Sequence, residues 1–207
     1  ARQWPDNTEC PQGDVILISA EDDPSDTIRP RLEASGANLN KVHMLDAILQ
    51  NDDESNDGIQ QQFFNLEKGL LGLRDMLDDI VTTALIVIDP ISAFLGSADS
   101  HKDAPVRQLL MPLEKIAEEY EVAVVCVAHP NKNEQSKAIN RVSGSLAFIA
   151  AARAAFYIAK DPDMEDQKLF IPVKNNIGND RTGLAFNIEG YTLDSGIQTS
   201  RIVWQEG

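Results

Sequence analysis

The chain has 207 residues, 43% of them hydrophobic, which suffices for one sizeable α/β core and leaves little room for two full domains. Its 33 acids against 18 bases give a formal charge of −15, which argues against broad binding of nucleic acid by phosphate neutralisation but allows a local basic loop. No apolar run nears the roughly 20 residues that span a bilayer, no signal-peptide pattern opens the chain, and Cys10 and Cys126 form no disulfide framework, so a soluble protein of the reducing cytoplasm is expected.

The opening ARQWPDNTECPQG lacks Met and reads as the tail of an element followed by a Pro/Gly loop, so the chain is expected to start within a domain. Asp14 to Ser19, DVILIS, is an apolar strand that runs directly into Glu21, Asp22, Asp23 and Pro24. Asp23 before Pro24 is a helix start, with Asp as N-cap and Pro at the first helical position. Capping accounts for Asp23 without chemistry. Glu21 precedes the cap and is free to act on a ligand. A short helix with Ile28, Leu32 and Ala34 on one side then ends at Gly36.

Val42 to Leu45 is a short strand, LQNDDESNDG an acidic loop, and Phe63 to Leu66 a further short strand, with Asn65 capping a helix that buries Leu70, Leu71, Leu73, Met76, Leu77 and Ile80. Ala84 to Pro90, ALIVIDP, is the organising stretch. Its apolar, mostly β-branched residues fit a strand buried on both faces of a parallel sheet, and Asp89 falls at the carboxyl end, the edge where open α/β sheets bind ligands. After a loop, Ser100 and Asp103 have the form of a capping box for a helix to about Tyr120, with Pro112 expected to kink it or break its ladder.

Val122 to Ala128, VAVVCVA, is a third buried strand and ends on His129. Lys132 to Arg141 reads as a polar loop carrying Lys132, Lys137 and Arg141, either a plain connector or a nucleic-acid contact. A short helix within Ser143 to Ala151 follows, then strands at Ala155 to Ala159, Lys168 to Lys174, Leu184 to Ile188 and Ile197 to Trp204, read as an antiparallel addition at the sheet edge.

Three apolar strands thus deliver Glu21, Asp89 and His129 to one sheet edge. Nucleotide hydrolysis needs a carboxylate that holds Mg²⁺ through water, a second that deprotonates an attacking water, and a neutral group that senses the transferred phosphoryl. On these terms Asp89 is the metal-side acid, Glu21 the base and His129 the sensor.

The stretches GDVILISAEDDPSDTIRPRLEASGANLNKVHML, LIVIDPISAFLG, SHKDAPVRQLLMPLEKIAEEYEVAVVCVAHPNK, RVSGSLAFIAAARAAFYIAKDP and PVKNN together resemble the RecA-type ATPases, in the branch of the plasmid RepA-like hexameric replicative helicases. The resemblance covers nearly the whole chain. It implies a single RecA-like α/β core over residues 1–207, a three-layer sandwich with a mostly parallel central sheet and antiparallel C-terminal strands. It also implies ATP and Mg²⁺ as cofactors, Asp89 as the Walker B acid, Glu21 as catalytic base, His129 as sensor, a homo-oligomeric hexameric ring, and DNA-facing channel loops at Asn131 to Ser143. Lys174 matches the basic finger that related rings present to a neighbouring subunit's nucleotide. The second basic residue of that arrangement is Asn176 here, with Arg153 and Arg181 as substitutes.

One departure stands out: the sequence contains no G-x-x-x-x-G-K-[ST] phosphate-binding loop. In the family that loop lies just upstream of the point where this chain begins, so an N-terminally truncated core is expected, its absent strand lying next to the sensor strand. The chain by itself is expected to bind ATP weakly. Three readings follow: the core of an ATP-driven DNA motor, a non-hydrolysing assembly or regulatory module of the same fold, and a metal hydrolase using Glu21, Asp22, Asp89 and His129 directly on metal.

Overall fold

The computed structural model describes residues 3–45, 47–51, 59–96, 103–129, 146–178 and 182–205. Its contacts divide the chain into two compact units, one of Gly13–Glu21 and Lys41–Phe148, the other of Ala1–Gln12, Asp22–Asn40 and Ile149–Gly207.

The first unit holds a parallel sheet. β1 (Asp14–Ser19) pairs with β2 (Val42–Met44) on one side and β5 (Thr83–Asp89) on the other, and β6 (Ala123–Cys126) continues from β5, giving the order β2-β1-β5-β6. The register aligns Ser19 with Asp89 and Ile88 with Cys126, so the three strands end level. Ile16 and Ile18 of β1 and Ile86 and Ile88 of β5 are fully buried. They pack with Leu73 and Leu77 of α2 (Leu70–Asp79) and Leu113 and Ile116 of α3 (Asp103–Glu119) into one apolar core. Buried and half-buried residues alternate along β1. Burial on both faces, expected from the composition of these strands, is therefore found on one face only. The correction is larger at β6, where Ala123, Val125 and Cys126 are all exposed. It is an end strand among the described residues, so the side chains that an interior strand would cover lie open.

Three local readings shift. Part of the expected acidic loop is strand: β3 (Ala47–Asn51) and β4 (Ile59–Phe63) form an antiparallel pair, so the expected strand at Phe63 to Leu66 lies upstream. Phe64 and Leu66 instead enter the core, whereas Leu71, expected there, is 74% exposed because it lies on the outer face of its helix, opposite the buried Leu73 and Leu77. Asn65 accepts hydrogen bonds from the backbone N–H of Glu67 and Lys68, closing the turn that leads into α2 rather than capping the helix itself. Pro112 lies inside α3, which runs on through it as one helix. Gly13, just before β1, is dictated by space: a Cβ there would lie 2.4 Å from that of Ala84 and 2.9 Å from the Thr82 carbonyl oxygen.

The second unit contains an antiparallel sheet in the order β10-β9-β8-β7, made of β7 (Ala154–Lys160), β8 (Gln167–Asn175), β9 (Leu184–Thr192) and β10 (Gln198–Trp204). The expected antiparallel addition is thus a sheet of its own. Phe156 stacks on Phe170, and Trp204 meets both Phe170 and Phe186 edge-on or tilted, which ties the four strands together on one face. The helical turn Pro24–Ile28 and α1 (Arg29–Ala34) belong to this unit, and α1 packs on β10. Asp23 caps as its sequence context predicts, accepting at 2.8 Å from the backbone N–H of both Ser25 and Asp26.

Candidate nucleotide and metal site

Each strand end is held by backbone bonds before any side chain acts. The Ala20 N–H donates to the Asp89 carbonyl at 3.0 Å, the Val127 N–H to Ile88 at 2.9 Å, and the Ile91 N–H to Val127 at 2.8 Å. These bonds extend the β1–β5 and β5–β6 pairings one step past the strands and fix where Glu21, Asp89 and His129 leave the sheet. The three residues offer ligand atoms that all lie within 4.8 Å of one another. Sequence reasoning placed them on one edge. The structure brings them to one point.

His129 Nε2 and Glu21 Oε2 are 2.7 Å apart. A carboxylate can only accept, so the imidazole Nε2 carries the hydrogen and donates it. Both side chains are about half exposed, at 54% and 55%, while Asp89 is set deeper between them. A half-exposed pair of this kind contributes little to stability. Its interest is chemical: a carboxylate and a hydrogen-bond donor stand together beside a second carboxylate, that of Asp89, at the carboxyl end of a parallel sheet. Asp22, grouped with these residues in the metal-hydrolase reading, instead forms a 2.8 Å ion pair with Arg31 in the other unit.

Lys174 also lies in that other unit, on β8. Its ammonium donates to the Ile149 and Ala150 carbonyls at 3.0 and 2.8 Å, near the C-terminus of α4 (Leu146–Ala151), where helix carbonyls lack partners. Asn176 N–H donates to the Arg153 carbonyl. Lys132, Lys137, Arg141 and Arg181 lie outside the described residues.

At the opposite end of β1 sits a polar cluster that the sequence did not announce. Asp14, only 8% exposed, accepts from His43 Nε2 at 2.9 Å, Lys41 Nζ at 3.2 Å and the Thr82 hydroxyl at 2.5 Å. The His43 hydrogen bond, then that of Thr82, with Lys41 adding to them, holds its carboxyl far below the usual range. No local pattern could reveal it, since its partners come from two distant segments, Lys41 with His43 and Thr82.

A family profile described as AAA domain matches residues 1–135. Among solved structures, the chain is similar to a crystal structure of the RadB recombinase, with a TM-score of 0.56 and 14% sequence identity over 92% of this chain and 79% of that one. The likeness shows a RecA-like α/β fold. No curated protein matches. Among the described residues, no helix is long and apolar enough to cross a membrane.

Proposed function

Because the chain belongs to the AAA domain family, we propose that it is the ATP-hydrolysing core of a RecA-type motor acting on DNA, a helicase or a replication or repair ATPase, with Mg-ATP bound between subunits of a homo-oligomeric, hexameric ring. The observation that carries this reading is the convergence of Glu21, Asp89 and His129 on one sheet edge, with ligand atoms within 4.8 Å.

The donor chemistry fits the cofactor. Two carboxylates at the carboxyl end of parallel strands suit a hard, oxygen-seeking cation, and Asp89, the deeper of the two, would hold Mg²⁺ through its water shell. When bound, Mg²⁺ neutralises phosphate charge and orients the terminal phosphoryl group. Glu21, more exposed, accepts the proton of the attacking water. His129 holds Glu21 in place before substrate arrives and donates its Nε2–H to the phosphoryl oxygen afterwards. Lys174 is proposed as the basic finger toward a neighbouring subunit's nucleotide, for which it would have to release the α4 carbonyls. Lys132, Lys137 and Arg141 are proposed as DNA contacts.

The 207 residues contain no G-x-x-x-x-G-K-[ST] loop, so hydrolysis would need phosphate-binding groups supplied by another segment. That requirement also favours a second reading, a non-hydrolysing assembly module. DNA-stimulated ATPase activity of the full-length protein separates the two: turnover that needs Mg²⁺, Asp89 and DNA supports the motor, and turnover at background selects the module.

A further inference from the structure

Mg²⁺ takes oxygen ligands and would use only the two carboxylates of the cluster, leaving the His129 nitrogen beside them outside its coordination. One nitrogen and two carboxylate oxygens form the donor set of a borderline dication such as Zn²⁺. Donors of that kind lie about 2.0–2.2 Å from the ion, hence about 3.3–3.6 Å from one another in a tetrahedral site. Glu21 and His129 stand closer than this, at 2.7 Å, while the 4.8 Å envelope of the three residues exceeds it by about an ångström. Glu21 and His129 are half exposed and have room to close that gap, whereas the backbone at Asp89 is fixed by the Ala20 N–H. Glu21 and His129 are moreover already joined by one shared hydrogen, the position a cation takes when imidazole and carboxylate become ligands.

We propose that Glu21, Asp89 and His129 bind a Zn²⁺-class dication directly and without nucleotide, and that its occupancy stops ATP turnover by engaging the base and the metal-side acid together. Binding requires the His129 hydrogen to sit on Nδ1 rather than Nε2, so that the freed Nε2 lone pair, Glu21 and Asp89 form three metal–ligand bonds in place of the Glu21–His129 hydrogen bond, with solvent filling the remaining position. The inhibitory half rests on the function proposed above, and the binding half does not.

Titration of the untagged 207-residue chain with Co²⁺, followed by visible absorption, tests the binding. One equivalent should produce the bands of a nitrogen-containing low-symmetry site, displaced by stoichiometric Zn²⁺ but not by excess Mg²⁺. His129→Ala and the near-isosteric Glu21→Gln should each weaken binding by more than the roughly 10–100-fold that loss of an outer-shell partner costs. His43→Gln, a change at the Asp14 cluster on the opposite end of β1, should leave it unchanged. Far-UV circular dichroism certifies each variant, and Glu21→Gln decides should His129→Ala not fold. A spectrum that stays that of aqueous Co²⁺, or binding that ignores both substitutions, overturns the site. Zn²⁺ added to the full-length protein then tests the second half: bound metal without inhibition removes the regulatory role, while a Glu21-dependent ATPase with no Co²⁺ site leaves the motor standing and this proposal refuted.

Discussion

Glu21 Oε2 and His129 Nε2, 108 positions apart in the chain, stand 2.7 Å from each other because β1 and β6 flank β5 and end level with it. The contact joins the proposed base to the proposed sensor. Replacing Glu21 by Gln keeps the size and one acceptor but removes the basicity. In the full-length protein, phosphate release should fall by about 10²–10⁴-fold. Affinity for a non-hydrolysable ATP analogue should hold within a few fold, read by calorimetric titration.

The Asp14 cluster predicts an acid-sensitive fold. Its carboxyl is held far below its ordinary value near 3.8 by His43, Thr82 and Lys41. A depressed carboxyl contributes stability that is fully present above the unfolded value and drains away as pH falls below it toward the folded one. Asp14→Asn should therefore lower the urea midpoint at neutral pH and flatten its decline below about pH 4. Asp22→Asn, which breaks an exposed pair with Arg31, should cost less. Equal midpoints for the two variants would show that Asp14 has no special place in the fold.

How much of this was readable in advance follows from the range of each interaction. The Asp23 cap was legible because a cap is settled within three residues. The strand ends at Glu21, Asp89 and His129 were legible because apolar runs that stop on polar residues locate one edge of a parallel sheet. The β3–β4 pair was not, since Gln60, Gln61 and Gln62 carry no strand signal and the polar run beside them reads as a turn. The exposure of β6 was hidden for another reason. VAVVCVA has an interior composition, and only its neighbours determine whether it has an open edge. Asp14 likewise gave no sign, its three partners being 27, 29 and 68 positions away.

Lys174 makes a prediction of a different kind. Its two bonds to the Ile149 and Ala150 carbonyls help tie α4 to β8. Lys174→Ala should lower the melting temperature of the chain by a few degrees, in keeping with about 1 kcal/mol for a cation on helix-end carbonyls. Lys174→Arg should restore most of it. As the proposed finger, Lys174→Ala should also cut turnover of the full-length protein, with nucleotide affinity little changed. Mixing it with Glu21→Gln subunits should recover part of the activity, since the defects then fall on opposite sides of an intersubunit site.

The basic residues Lys132, Lys137 and Arg141 are testable through salt. A contact with single-stranded DNA contributes about 0.7 to the slope of log affinity against log salt concentration. The triple change to Ala should therefore flatten that slope by about 2 in fluorescence anisotropy with a labelled oligonucleotide. An unaltered slope would assign this stretch to a plain connection.

A crystal structure of the protein with Mg²⁺ and a non-hydrolysable ATP analogue should show the terminal phosphate between Glu21 and His129, their direct contact broken, and the cation on the Asp89 side with Glu21 facing the in-line water. A nucleotide seated away from these three residues, with the Glu21–His129 contact intact, would rule out a hydrolytic site at this sheet edge.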